Sequence, residues 1–319
     1  MASLTDEFSL IVRKSFNWML WLYLLVIGFA GGLVFFIALI VFLLLCLIVF
    51  FSLQFSALAL LLYLIFFILF LIVAFITSSA IQGTSLNISR DFLEKGKLDF
   101  WSAWGKTKPR IFTSVKVEIV VGLFFLLVFL ISFLPFIFSL IDFVASLNFT
   151  DLLFLDSSAF LNLFAPLIVS FLSSLLIFFI ISLIIIPFSM LYRQIPFFES
   201  KGAVDSIKRA INLARKNYVK NFVFYFIFIV FVIAVSLVYT LVLFILMLPV
   251  FMGVAWLLIL FTFLRIIIQI AFSIWVSVLS FLFDSKVYLI NVEGTHKEHS
   301  HTTIKKTPIK KRSAKKRKK

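Results

Sequence analysis

The chain has 319 residues, 63% of them hydrophobic and only 13% charged, with 45 Phe and a formal net charge of +15. Soluble domains carry roughly 45–50% apolar residues, so this composition excludes a soluble enzyme and predicts an integral membrane protein. Cys46, the single cysteine, lies inside an apolar run, which excludes disulfides within the chain and cysteine-based metal sites.

Apolar runs cover 18–77, 117–141, 163–191 and 222–283, each at or above the roughly 20 residues that cross ~30 Å of hydrocarbon as a helix. The first is far longer than the about 7–15 apolar residues of a secretory signal, so it is expected to be mature structure. No alternation of the kind that builds a membrane barrel occurs. A run of about 60 residues would make a helix roughly 90 Å long, so the first and last runs must turn back. Ser52, Leu53, Gln54 and Ser56 mark one turn and Pro249 with Gly253 the other. The expectation is six spans, at 18–49, 54–80, 116–143, 163–191, 219–247 and 252–283.

Charge placement tests that count, because cytoplasmic loops retain Lys and Arg. Arg13 and Lys14 precede span one, seven basic residues from Arg90 to Lys116 lie between spans two and three, and seven from Arg193 to Lys220 lie between spans four and five. The loop with Asp142, Asp151 and Asp156 has no Lys or Arg. Of 29 basic residues, only Arg265 falls off the one predicted side. Six spans with both termini in the cytoplasm, in the cell membrane, follow from this asymmetry.

Two cytoplasmic connections read as amphipathic elbows. In the second, Val204, Ile207, Ile211, Ala214 and Tyr218 recur at helical spacing, with Asp205, Lys208, Arg209, Asn212, Arg215 and Lys216 on the other face. Such a helix either lies in the headgroup layer with its Lys and Arg against anionic lipid or packs as an ordinary elbow on the bundle; both readings predict this pattern. In the first, "EKGKLDFWSAW" from Glu94 parallels "ESKGAVDSIKRA" from Glu199. The match suggests an internal repeat, a common device of membrane folds. Trp101 and Trp104 stand there at positions suited to the headgroup level.

With Glu199, Gly202, Ile207, Arg209, Ala210, Leu213 and Asn217, preceded by Pro187 and Phe198, the chain resembles the uncharacterised six-helix membrane proteins related to the membrane domain of glycerophosphoryl diester phosphodiesterases. The likeness covers the whole span layout and rests on one moderately specific motif. It departs from the multidomain members in carrying no catalytic domain. The resemblance implies a fold and no established activity.

Intramembrane chemistry needs ionisable groups at matching depth, and the spans hold few. His296, His299 and His301, the only histidines, all fall in the tail, so neither a histidine acid/base pair nor a metal site is expected in the bundle. No cofactor and no catalytic set is expected. Gly31 and Gly32 read as helix-packing residues, and Asn148-Phe149-Thr150 as a glycosylation acceptor in an outer loop. Spans four and five carry hydroxyls at Ser170, Ser173, Ser174, Ser182, Ser189, Ser236 and Thr240, which either line a polar path or bond back to their own helices. Arg265 is the one central charge, with Gln269 one turn on. A central Arg costs at least ~2.5 kcal/mol on insertion scales, so it faces the bundle, a water-filled cavity or, by snorkelling, a headgroup.

Lys305 to Lys319 contains ten Lys or Arg and no acid. The expected domains are therefore a six-span unit at 1–288 and a disordered polybasic tail at 289–319. Lys310, Lys311, Arg312, Lys315, Lys316 and Arg317 are its candidate contacts to anionic lipid or to RNA phosphates. In composition the tail resembles the basic tails with which membrane insertases engage ribosomes. The fold class expected is an all-α polytopic bundle of six transmembrane helices with cytoplasmic elbow helices. The function expected is a scaffold or insertion helper at the cytoplasmic face; the alternative is a transporter or channel for a small or anionic solute or lipid, with a cavity near Arg265.

Overall fold

The computed structural model describes the backbone of residues 4–53, 57–146, 157–251 and 255–304, and the side chains of 5–52, 58–145, 164–247 and 259–292. Within these ranges the chain is helical and contains no strand. The elements are α1 (Leu4–Ser15), α2 (Trp18–Leu53), α3 (Ala57–Lys95), α4 (Phe100–Thr107) with a 3-10 turn at Lys108–Arg110, α5 (Ile111–Ser146), α6 (Ser157–Ser189), α7 (Ile195–Phe198), α8 (Ala203–Lys216), α9 (Tyr218–Phe251) and α10 (Ala255–Ile304). Six of them, α2, α3, α5, α6, α9 and α10, are long and apolar enough to cross a membrane. The protein is an all-α polytopic membrane bundle with six such helices, as the sequence predicts.

The spans pair as antiparallel hairpins, α2 with α3, α5 with α6 and α9 with α10, and α3 also packs on α10, α4, α5 and α7. Lipid tails are as apolar as Leu, so close packing must hold these helices together rather than escape from water. Ring contacts supply part of it: Phe42 stacks on Phe70 at 5.3 Å between α2 and α3, and Phe136 meets Phe171 edge-on at 5.3 Å between α5 and α6. The outward faces are bare apolar side chains such as Phe29, which is 72% exposed.

Burial concentrates at one end of the bundle, the end that carries the elbows. Ile11, Leu20, Ile88, Leu191, Ile195, Leu213, Leu279 and Leu282 are all at or below 1% exposure there. Helix α10, with 50 residues and thus roughly 75 Å long at 1.5 Å per residue, is far longer than the hydrocarbon layer and projects through this knot. The helix continues to Ile304, and within it Tyr288 and Asn291 are buried against α9 and the second elbow. The turns at 54–56 and 252–254, the acceptor Asn148-Phe149-Thr150, and Lys310, Lys311, Arg312, Lys315, Lys316 and Arg317 lie outside the described residues, as do the side chains of His296, His299 and His301.

Helix α1 is an element the span count passes over. Asp6 and Glu7 open it and Arg13 and Lys14 close it, the charge order that the helix dipole favours. Its inner face is Phe8, Ile11 and Ser15: Phe8 meets Phe231 edge-on at 5.2 Å, and Ser15 Oγ accepts a hydrogen bond from Trp275 Nε1 at 3.0 Å. Lys14 Nζ donates to the carbonyls of Leu93 at 3.2 Å and Phe92 at 3.4 Å, capping the end of α3. Glu7 pairs with Lys286 of α10 at 2.6 Å.

Candidate functional site: the elbows and the cavity beside them

The first elbow starts where Gly96, at φ +67°, ends α3, a left-handed position that suits glycine. Asp99 then caps α4, accepting from the Ser102 amide at 3.1 Å. Asn87 Nδ2 donates to the carbonyl of Gly83 at 3.0 Å and to Thr107 Oγ1 at 3.1 Å, tying α4 to α3. Asp91, 8% exposed, takes Lys95 and Lys106 as partners. Trp101 is 77% exposed, whereas Trp104 turns inward to line a small apolar recess with Val26 and Ile111.

The second elbow is organised by Glu199. Its carboxylate binds Lys201 at 2.6 Å and Arg209 at 3.2 Å, and accepts from the Tyr288 hydroxyl at 3.2 Å. Burial pushes this carboxyl up, but Lys201 and Arg209 more than offset it and hold it below its ordinary value. Arg90 of α3 lies over the Phe198 and Tyr288 rings, at 4.9 and 5.7 Å, as a guanidinium over aromatic faces should. Past α8, Asn291 joins the two chain segments: its Oδ1 accepts from Asn217 at 2.8 Å and Asn221 at 3.3 Å, and its Nδ2 donates to Asn221 at 2.8 Å. Glu199 with Arg209, and Asn217 with Asn291, thus bracket the turn between spans.

The two elbows share a short stretch of sequence without sharing a backbone. Gly96 terminates a helix at positive φ, while Gly202 begins one at φ −67°, ψ 170°. They do converge in space at Gly83, where an added Cβ would stand 2.3 Å from Phe197 Cε1 and 2.6 Å from Thr107 Cγ2.

The buried face of α8 is Ser206, Ala210, Leu213 and Ala214, shifted around the helix from the expected stripe. Val204 and Ile211 of that stripe are 65% and 50% exposed. Ile207 and Ile211 instead border a groove with Val120, Phe124 and Ile184, residues on the outer faces of α5 and α6. Lys208, Arg215 and Lys216 are exposed, and Arg209 is half-buried on Glu199.

Arg265 and Gln269 are exposed on α10, and neither lines the cavity described next. Arg265 stands ten residues beyond Ala255, ~15 Å along the helix, on a face from which its side chain can snorkel.

That cavity, of about 740 Å³, lies at the elbow end between α2, α3 and α5. Its polar floor is Ser78, Gln82, Glu118 and Arg193, and its apolar wall includes Phe35, Leu71 and Phe75. Glu118 accepts from Ser114 at 3.4 Å, and Arg193 Nε donates to the Tyr192 hydroxyl at 2.8 Å. Glu118 and Arg193 feel each other's charge without forming an ion pair. Burial pulls the Arg193 guanidinium down, yet Tyr192, Asp284 and Glu118 more than offset it, so it stays protonated. Sequence reading counts Arg193 only as a topology charge; its approach to Glu118 across 75 positions (193 minus 118) leaves no local signal. No group of three or more His, Cys, Asp or Glu among the described residues is placed to hold a metal ion. A scan against family models finds no match to this chain, and none is found among curated proteins or solved structures.

Proposed function

We propose that the protein is a non-enzymatic organiser at the cytoplasmic face of the cell membrane, seated by its elbows in an anionic leaflet. The observation that supports this is that α8 exposes Val204 and Ile211 beside the apolar outer surface of α5 and α6, with Lys208 and Arg215 interleaved on the same stripe at helical spacing and Lys216 further around the helix. A helix surface that interleaves aliphatic and basic side chains suits headgroup depth, the aliphatic groups reaching acyl chains while the Lys and Arg stems lie along them and carry their charges to the phosphates. Trp101 gives the first elbow the same reach. The polybasic tail adds a second contact to anionic lipid.

The test is site-directed spin labelling at Val204→Cys in a Cys46→Ser background, in bilayers containing anionic lipid. Seating in the leaflet predicts that the label is accessible to oxygen and shielded from a water-soluble nickel relaxant. A label equally open to the nickel complex would make α8 a water-facing elbow and defeat the proposal. Co-purification at near-physiological salt, full length against a truncation after Ile304, tests the tail. Anionic lipid lost with the tail fits the reading, and RNA or ribosomal proteins lost with it would replace the lipid role by one beside protein synthesis. A second reading, transport of a small solute or lipid, is favoured by the cavity at Arg193 and Glu118 rather than by Arg265.

A further inference from the structure

The cavity at the elbow end carries one cation and one acid on different elements, and each has a partner that leaves part of it facing open space. Tyr192 holds Arg193 Nε, and Ser114 holds Glu118. Asp284 faces the same guanidinium from α10 without lining the cavity. The cavity floor itself presents one cation and one acid, Arg193 and Glu118, so a purely anionic ligand would leave the acid without a partner. A zwitterion matches it better, its anion on Arg193 and its cation on Glu118.

The wall above these charges has the character of a chain-binding surface. Added Cβ atoms at Gly28, Gly32 and Gly122 would meet nothing within 4 Å, so backbone packing does not demand glycine there and the missing side chains leave room. From Gln82 to Leu71 along α3, the lining changes from polar to apolar over 11 residues (82 minus 71), or ~16 Å of helix. A headgroup at the floor would therefore leave its first methylenes on apolar wall.

We propose that this cavity binds the headgroup of an aminophospholipid, with the phosphate on Arg193 and the primary ammonium on Glu118. A primary ammonium donates hydrogen bonds to a carboxylate, which the trimethylated ammonium of a choline lipid cannot do. The site therefore discriminates between two zwitterions of the same net charge. This goes beyond the membrane-face role proposed above and does not depend on it.

Native mass spectrometry of the full-length protein reads the binding directly, with phosphatidylethanolamine, phosphatidylcholine and phosphatidylglycerol of identical chains supplied at equal concentration. The ethanolamine lipid should be retained about tenfold over the choline lipid, the effect of one extra charge-assisted hydrogen bond. The isosteric Glu118→Gln should erase that preference, Arg193→Gln should lower both lipids, and Gly32→Leu should lower all three by filling the wall. Arg265→Gln, away from the cavity, should change none of them. Equal retention of the ethanolamine and choline lipids by the unmodified protein, which needs no variant to fold, would overturn the proposal. So would a preference that survives Glu118→Gln. Soluble glycerophosphoethanolamine should bind far more weakly than the lipid, and binding equal to the lipid's would overturn the lipid as its source.

Discussion

The two elbows join the same kinds of element yet are held by different means. The first is short, capped by Asp99 and stitched to α3 through Asn87 and Asp91, and it shows an indole to its surroundings. The second is a longer helix bracketed at its start by Glu199 and at its end by Asn291, and it shows aliphatic side chains and Lys/Arg. The difference separates two tasks. Polar brackets fix where the chain turns between spans, and the faces left over decide what the turn meets.

Breaking both elbows at once should have the largest effect. Gly83→Leu drives a side chain into Phe197 and Thr107, and overpacking of this kind should cost about 3 kcal/mol, read as a lowered thermal midpoint in detergent. A midpoint matching the parent protein would mean that the elbows do not meet tightly at α3. Asn291→Ala strikes only the second elbow. It strands the amides of Asn217 and Asn221 in a site where Asn291 itself is 1% exposed, for an expected loss of about 2 kcal/mol; Asn87→Ala, its counterpart in the first elbow, should cost less because Thr107 Oγ1 keeps its bond to the Ala103 carbonyl.

Glu199→Gln is the mildest, about 1 kcal/mol for a bracket that is partly open to water, and it carries a signature in pH. The folded carboxyl is held below its ordinary value near 4.5, so the stability it contributes is complete above that pH and is lost as pH falls through the lower folded value. The parent should therefore lose more of its midpoint than the variant on going from neutral pH to below 4.5. Identical pH profiles would show that Lys201 and Arg209 contribute nothing through this carboxylate.

Much of the fold was legible because lipid imposes a simple rule on sequence: apolar runs longer than the hydrocarbon layer, broken by basic loops. The six long helices follow from it. Outside the long apolar runs the rule lapses. Helix α1 is short, and its Phe8, Ile11, Ser15 face shows only in its register against charged ends. The buried face of α8 could not be read from its most apolar residues, since Val204 and Ile211 look outward while Ser206 and Ala210, small enough for close approach, look in. Glu118 and Arg193 are joined only by tertiary packing. Arg265, conspicuous in sequence as the lone central charge, is exposed, because a long side chain on a lipid-facing helix can reach the interface on its own.

Gly83 also bears on how the molecule responds to force. Phe197 and Thr107 press on one backbone position of α3 from opposite turns of the chain, and close-packed interiors have low compressibility and pass strain on. At that contact the two turns form a single rigid joint. A displacement that begins at Arg193, two residues before α7 starts at Ile195, has a steric route through Phe197 to Thr107 and the helix that carries Trp101. Its indole fluorescence would serve as a remote reporter of events on the other side of α3.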